Sequence, residues 1–238
     1  MTQWGFYFNQ KRCLGCATCT VACKEWNEGR RGDAKLNGLG ESMLAGLATP
    51  SAWKADTAQK ASDDAYLRRF DMKENWRRVT FIEFGTCAPN VEVVPMSMSC
   101  NHCSDPACMK VCPVKAISKD KTFGAVIVDS ARCIGCGACA KACPWGAPQY
   151  FEPLEKTQIG TPEHPHMTKC DMCIDRLKVG LKPACVASCP GRALECGPMD
   201  ELKKLHPKAT FEAVGAPRSF VEQTKPNVLY TARQTNVK

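Results

Sequence analysis

Sixteen of the chain's eighteen cysteines stand in four groups of four. The first group is Cys13, Cys16, Cys19 and Cys23. The second is Cys100, Cys103, Cys108 and Cys112, followed by Pro113. The third is Cys133, Cys136, Cys139 and Cys143, followed by Pro144. The fourth is Cys170, Cys173, Cys185 and Cys189, followed by Pro190. Groups one and three have the C-x2-C-x2-C-x3-C spacing that wraps a [4Fe–4S] cube. At four thiolates per cube the sixteen cysteines are used up with none left over. The pattern therefore predicts four [4Fe–4S] clusters and electron transfer as the chain's business. Cys87 and Cys196 fall outside it and read as ordinary buried thiols.

Two other uses of cysteine compete with this one. Disulfide scaffolds are short secreted chains that lack a core. This chain has 238 residues, and its first ten read as a strand rather than a signal peptide. Two-residue spacings also place many neighbours poorly for bridging. Zinc sites pair one C-x2-C with a distant second pair. Groups one and three instead carry three cysteines within seven residues and then a fourth. Group four, taken alone, also fits a zinc knuckle; its Cys-Pro ending sets it with the others.

The spacing carries a rule of wiring. In two-cluster ferredoxins the fourth cysteine of each run serves the other cube. The first three cysteines wrap one cube on a tight loop, and the short helix that follows aims the fourth elsewhere. Proline suits the chain's exit because it cannot extend the helix. Groups two and three lie close in sequence and form one such pair. That leaves group one with group four, which closes the chain's ends round its middle.

The formal charge is +8, from 32 basic and 24 acidic residues. An oxidised cube with four thiolates carries roughly −2, so four carry about −8. The basic excess is thereby matched internally, which argues against nucleic acid as a partner. No apolar run approaches the ~20 residues of a transmembrane helix, so no membrane span is expected. With no signal of its own, the chain is expected in the cytoplasm, or exported to the periplasmic face bound to a signal-bearing partner, peripheral to the membrane in either case.

Along the chain, Gly5 to Asn9 reads as a strand leading into group one, and Gly124 to Asp129 repeats the syntax before group three. Ala116 to Ser118 pairs with Phe123 to Val128 as a hairpin, and Val79 to Phe84 with Val91 to Met98 as another. Residues 27–78 read as an insertion, mostly loop, with a helix over Thr57 to Phe70. The Arg30-Arg31, Arg68-Arg69 and Arg77-Arg78 pairs read as solvated charge. Asp200 to Leu205 reads as a short helix, and the polar stretch from His206 as a tail with little core, wrapping a partner or lying on the surface. The expected class is α+β. Residues 1–26 and 160–200 make one ferredoxin-like lobe holding two clusters, 79–159 a second, with 27–78 inserted and 201–238 a partner-wrapping tail.

The stretches Ser99-Cys100-Asn101-His102-Cys103, Cys143-Pro144-Trp145-Gly146-Ala147-Pro148-Gln149-Tyr150 and His166-Met167-Thr168-Lys169-Cys170-Asp171-Met172-Cys173 carry a family likeness. The chain resembles the iron–sulfur electron-transfer (beta) subunits of dimethyl sulfoxide reductase-type molybdoenzymes. The resemblance implies a duplicated two-cluster ferredoxin and four clusters in a roughly linear wire. It implies Cys13, Cys16, Cys19 and Cys189 at the cluster nearest a molybdopterin (molybdenum or tungsten) catalytic subunit. It implies Cys170, Cys173, Cys185 and Cys23 at the next, Cys100, Cys103, Cys108 and Cys143 at a third, and Cys133, Cys136, Cys139 and Cys112 at the last. The far partner it implies is a membrane anchor, a quinone-linked subunit or another carrier, in anaerobic respiration. The long insertion and Lys24 in place of a proline after Cys23 depart from the pattern.

With every ligand a cysteine, no iron is open to substrate, and no catalytic residue is expected in this chain. His102, His164, His166 and His206 are scattered, and His102 is expected to pack or bond a sulfur rather than to ligate. Gly15, Gly135 and Gly137 let loop backbone approach the sulfurs. Lys24 is a candidate for raising a cluster potential, against the plainer reading of a solvated lysine. The same ligation also serves iron–sulfur subunits of formate dehydrogenase or hydrogenase complexes, and free polyferredoxins.

Overall fold

A computed structural model describes residues 2–27, 75–85, 90–150, 166–212 and 218–233. The helix expected over 57–70, most of the insertion, Cys87 and His164 lie outside the described residues. In chain order the elements are β1 (Trp4–Asn9), a 3-10 turn (Gln10–Arg12), α1 (Thr18–Trp26), β2 (Arg78–Gly85), β3 (Val91–Met98), α2 (Ala107–Lys110), β4 (Ile117–Lys119) and β5 (Val126–Val128). A second 3-10 turn (Ser130–Arg132), α3 (Ala138–Ala142), β6 (Gln149–Tyr150), β7 (Met167–Thr168) and α4 (Ile174–Lys178) follow. The last elements are α5 (Ala184–Ala187), β8 (Leu194–Pro198), α6 (Met199–Leu205), α7 (Arg218–Thr224) and β9 (Val228–Thr231). The mixture is α+β, with ferredoxin-like cysteine loops between short elements.

β1 is the hinge of the packing. Its side chains alternate by the two-residue period of a strand. Phe6 and Phe8 enter the main core with Met96, Met98, Trp145 and Leu194. Tyr7 faces the other way, onto Met199, Leu202 and Leu229. β8 pairs with β1 antiparallel, Phe6 opposite Cys196, and β9 pairs with it parallel, Phe6 opposite Val228. Among the described residues, the first strand is thereby locked to the last. β2 and β3 form a hairpin with Arg78 opposite Met98, and β4 and β5 form another with Ile117 opposite Val128. Both follow the sequence reading.

Local geometry repeats between the cysteine loops. Each 3-10 turn is capped by a side chain, Asn9 accepting from the Lys11 N–H and Asp129 from the Ala131 N–H. Each is followed by a cysteine loop and a helix whose N-cap is left-handed, Ala17 before α1 and Gly137 before α3. α1 packs on α5, and α3 on α2. α2 and α5 in turn each start after a proline, Pro106 and Pro183. α3 stops at Ala142, just before Cys143-Pro144; α1 has Lys24 after Cys23 and runs on to Trp26.

Two expectations are corrected. The stretch after His206 is not poor in core. Phe220, Val228, Leu229 and Tyr230 are buried, Thr224 accepts a hydrogen bond from the Trp145 indole at 2.9 Å, and the Asn227 amide donates to the His102 carbonyl at 2.8 Å. The apolar residues there are few but alternate on β9, beside a strand edge that needed a partner. Nor are Arg77 and Arg78 solvated. Both are buried: β2 starts at Arg78, opposite Met98 of β3, Arg77 bonds Ser97 and Ser99, and Arg78 bonds the carbonyls of Trp145 and Gly146.

Candidate iron–sulfur centres

The cysteine loops hold backbone where side chains alone would not take it. Gly15 and Gly135 sit at φ +70° and +68°, one residue before Cys16 and Cys136. In groups two and four the same turn falls on His102 and Met172, at φ +43° and +67°. In that geometry the backbone N–H groups point at sulfur. His102 N–H donates to Cys100 Sγ at 3.5 Å, Met172 to Cys170 at 3.4 Å, Ala116 to Cys112 at 3.3 Å, Ala193 to Cys189 at 3.3 Å and Met167 to Cys133 at 3.4 Å. Such bonds favour thiolate over thiol.

The structure brings cysteines of different groups together. One pocket is lined by Cys13, Cys16, Cys19 and Cys189. A second is lined by Cys100, Cys103, Cys108 and Cys143. A third is lined by Cys112, Cys133, Cys136 and Cys139. Each draws three cysteines from one group and a fourth from another. The remaining cysteines also meet: Cys23 shares a buried cluster with Cys170, and the Cys173 thiol feels both Cys185 and Cys23.

The cavities suit a cube better than a single ion. Around one zinc, at Zn–S of about 2.3 Å, thiolates stand within roughly 4 Å of one another. Among the described residues no three His, Cys, Asp or Glu side chains form such a group. Burial also makes these thiols poor acids when no metal is near. It pushes Cys108 and Cys173 up to about 12 and Cys143 to about 11, and it raises Cys170 and Cys103 strongly. A positive metal centre reverses that preference. The donor set is thus all sulfur, preorganised by N–H groups, and in need of cationic partners. Those are the demands of [4Fe–4S] ligation.

Side chains add to the cage walls. The Thr18 hydroxyl donates to Cys16 at 3.3 Å, the chief cause of that thiol's lowered pKa. Ser97 Oγ lies 3.4 Å from Cys19 Sγ, and Tyr150 OH 3.0 Å from Cys139 Sγ. His102 does not face a cage with its ring. Its Nδ1 accepts from the Val126 N–H at 3.0 Å, and the ring packs 6.2 Å from Phe6. Two cations are buried here, Arg77, which the sequence reading placed in solvent, and Lys169, to which it gave no role. Lys24, the cation it singled out, is only half-buried. The position of Lys169, directly before Cys170 in a loop of buried residues, was the one available signal.

All-sulfur cages on ferredoxin-like loops define the class: an iron–sulfur protein of the [4Fe–4S] type. Residues 91–199 match the 4Fe-4S dicluster domain, and residues 10–26 match a 4Fe-4S binding domain. Over 228 residues the protein is 40% identical to the B subunit of anaerobic dimethyl sulfoxide reductase from Escherichia coli, covering 96% of this sequence and 88% of that one. It is 31% identical to the formate dehydrogenase-O iron-sulfur subunit of the same bacterium, over 81% of this sequence and 52% of that one. It is 30% identical to selenate reductase subunit beta of Thauera selenatis, over 96% and 76%. The protein belongs to the family of dimethyl sulfoxide reductase B subunits, and it is an iron–sulfur electron-transfer subunit. Among the described residues no helix is long and apolar enough to cross a membrane.

Proposed function

We propose that the protein carries four [4Fe–4S] clusters in a line and relays electrons between a molybdopterin catalytic subunit and a quinone-linked membrane subunit or other carrier. Each cluster, when bound, takes up and releases one electron. The proposed ligands are Cys13, Cys16, Cys19 and Cys189 for the first cage, and Cys170, Cys173, Cys185 and Cys23 for the second. Cys100, Cys103, Cys108 and Cys143 hold the third, and Cys133, Cys136, Cys139 and Cys112 the fourth. The observation that carries this reading is the three-plus-one lining of the three cavities. The linear order is supported by which sulfurs act on one another across cages: Cys19 on Cys185, Cys100 on Cys170, and Cys139 on Cys108.

In this reading the molecule is two copies of one two-cluster lobe. Residues 1–26 with 160–200 form one, and 79–159 the other. The repeat of 3-10 turn, cysteine loop and left-handed N-cap supports the duplication. The stronger likeness to the dimethyl sulfoxide reductase subunit, 40% against 31% for the formate dehydrogenase subunit, favours a reductase complex, with catalysis in the partner. The test is the native complex with Cys19→Ser. Iron analysis and low-temperature electron paramagnetic resonance are expected to show one of four clusters lost or converted to a three-iron form. Four intact four-iron signals in that variant would refute the ligand assignment.

A further inference from the structure

Arg77 and Arg78 are adjacent, and both are buried, yet they are held in different ways. Arg78 donates to the carbonyls of Trp145 at 2.8 Å and Gly146 at 3.3 Å, anchoring one loop. Arg77 donates to two hydroxyls, Ser97 Oγ at 3.1 Å and Ser99 Oγ at 2.7 Å. Its guanidinium lies 4.9 Å over the Phe6 ring. Among the described residues its Nε has no hydrogen-bond partner, and no carboxylate pairs with the group. A buried guanidinium without a counter-ion is costly. The negative groups around it are sulfurs. Ser97 bridges it to Cys19 Sγ at 3.4 Å, on the first cage. Its charge acts on Cys185, Cys19, Cys170 and Cys23 in that order, three of them on the second cage.

Lys169 repeats the arrangement one gap further along. It is buried, and its ammonium donates to the Cys170 carbonyl at 3.0 Å and to the Val126 carbonyl. Its backbone thus carries a cysteine of the second cage, while its side chain lines the cavity of Cys100, Cys103, Cys108 and Cys143. Neither carbonyl carries a charge that would neutralise it; the negative groups that act on it are Cys100, Cys170 and Cys108, with the Asp171 carboxylate after them.

Resting on the four-cluster reading above, we infer that Arg77 and Lys169 are potential-setting cations of the wire, Arg77 between cages one and two and Lys169 between cages two and three. Each added electron makes a cluster more negative, so a fixed positive charge alongside favours the reduced state and raises the potential. Cage two touches both cations and gains most. Cage four faces neither. The electron arriving at an inner cluster thereby meets a charge already in place, with no counter-ion or water moving to compensate it. The serines hold Arg77 rather than neutralise it, because a hydroxyl accepts a hydrogen bond without bringing charge.

The test is a redox titration of the native complex, followed by low-temperature electron paramagnetic resonance together with iron content. Arg77→Gln is expected to lower the midpoint potential of two of four signals. The fall is expected to be tenfold or more in the reduction equilibrium, about 59 mV for one electron. Lys169→Gln is expected to lower two signals, one shared with the first variant, and Arg77→Lys to stay near wild type. Full iron with all potentials unmoved would overturn the inference and leave the four-cluster reading standing. So would Arg77→Lys falling as far as Arg77→Gln, which would make shape rather than charge the cause. Fewer than four signals in the unaltered complex would instead overturn the underlying reading. Should Arg77→Gln fail to assemble, Arg77→Lys and Lys169→Gln still decide the matter by the same outcomes.

Discussion

In the proposed four-cluster wire, the outer cages and the inner cages differ more in surroundings than in ligands. In each outer cage one cysteine is exposed, Cys16 in the first and Cys136 in the last. Beside each stands an exposed aliphatic side chain, Leu14 at 71% and Ile134 at 52% relative exposure. The inner cages are lined mainly by buried sulfurs: Cys100, Cys103 and Cys108 in one, beside a half-buried Cys143, and Cys23, Cys170, Cys173 and Cys185 in the other. The same loop chemistry thus yields two kinds of site. In the proposed wire, the points of exchange with partners are where a sulfur and an apolar side chain meet the surface together. Buried sulfurs are shielded from bulk water, so stabilising added charge falls mainly to the protein's own dipoles and cations.

The largest effect should come from removing an inner sulfur. Cys185 sits in the main core with Phe6, Trp145 and Val186. Cys185→Ser puts a hydroxyl there and leaves a cube short of a ligand. Loss of iron beyond one cluster is expected, with a chain that protease cleaves readily. Cys16→Ser changes an exposed loop sulfur, and on the four-cluster proposal the fold is expected to survive with about twelve of sixteen irons retained. Iron content and limited proteolysis of the two variants decide it. Equal damage in both would break the distinction between inner and outer cages.

Two tryptophans sharpen the same contrast without touching a ligand. Trp145 lines an inner cavity, is fully buried, meets Phe220 edge-on at 5.7 Å and donates to Thr224. Trp145→Ala should cost about 3–5 kcal/mol. Trp26 lies at the surface end of α1, with the Arg176 guanidinium 4.2 Å over its ring and Asp175 accepting from its indole at 2.9 Å. Its loss should cost on the order of 1 kcal/mol. Thermal unfolding of the iron-loaded variants measures the difference.

The sequence showed the cysteine loops, both hairpins, β1 and α6, because each rests on local signals: fixed spacings, alternation, a proline or a charge pattern. β1 leading to Cys13 and β5 leading to Cys133 were legible as one repeated syntax. What stayed hidden depends on non-local packing. β9 has four residues, and nothing in Val228–Thr231 announces a parallel partner in β1. The burial of Arg77 was invisible because a charged pair beside a strand is solvated more often than not. Its cover comes from β3 and the cysteine loops, residues far off in the sequence. Ser97 and Ser99, which hold it, look like ordinary strand-end serines until the fold places them.

The smallest effect concerns the two outer loops, which share cysteine spacing and backbone turns but differ at the residue that caps the helix. The residue capping the helix after the second cysteine is Ala17 in the first loop, at φ +56°, and Gly137 in the third, at φ +74°. A left-handed conformation costs a residue with a Cβ roughly 1–2 kcal/mol relative to glycine. Part of that is returned because glycine has more freedom to lose on folding. A Cβ added at Gly137 would meet no atom within 4 Å, so conformation alone decides the outcome. Ala17→Gly should therefore stabilise by about 0.5–1 kcal/mol, and Gly137→Ala should destabilise by a similar amount. The iron content of both should be unchanged. Denaturant unfolding of the pair, compared with the double exchange, measures the sign. If both substitutions destabilise, Ala17 is held by contacts that the third loop lacks, and the two outer loops are copies in backbone only.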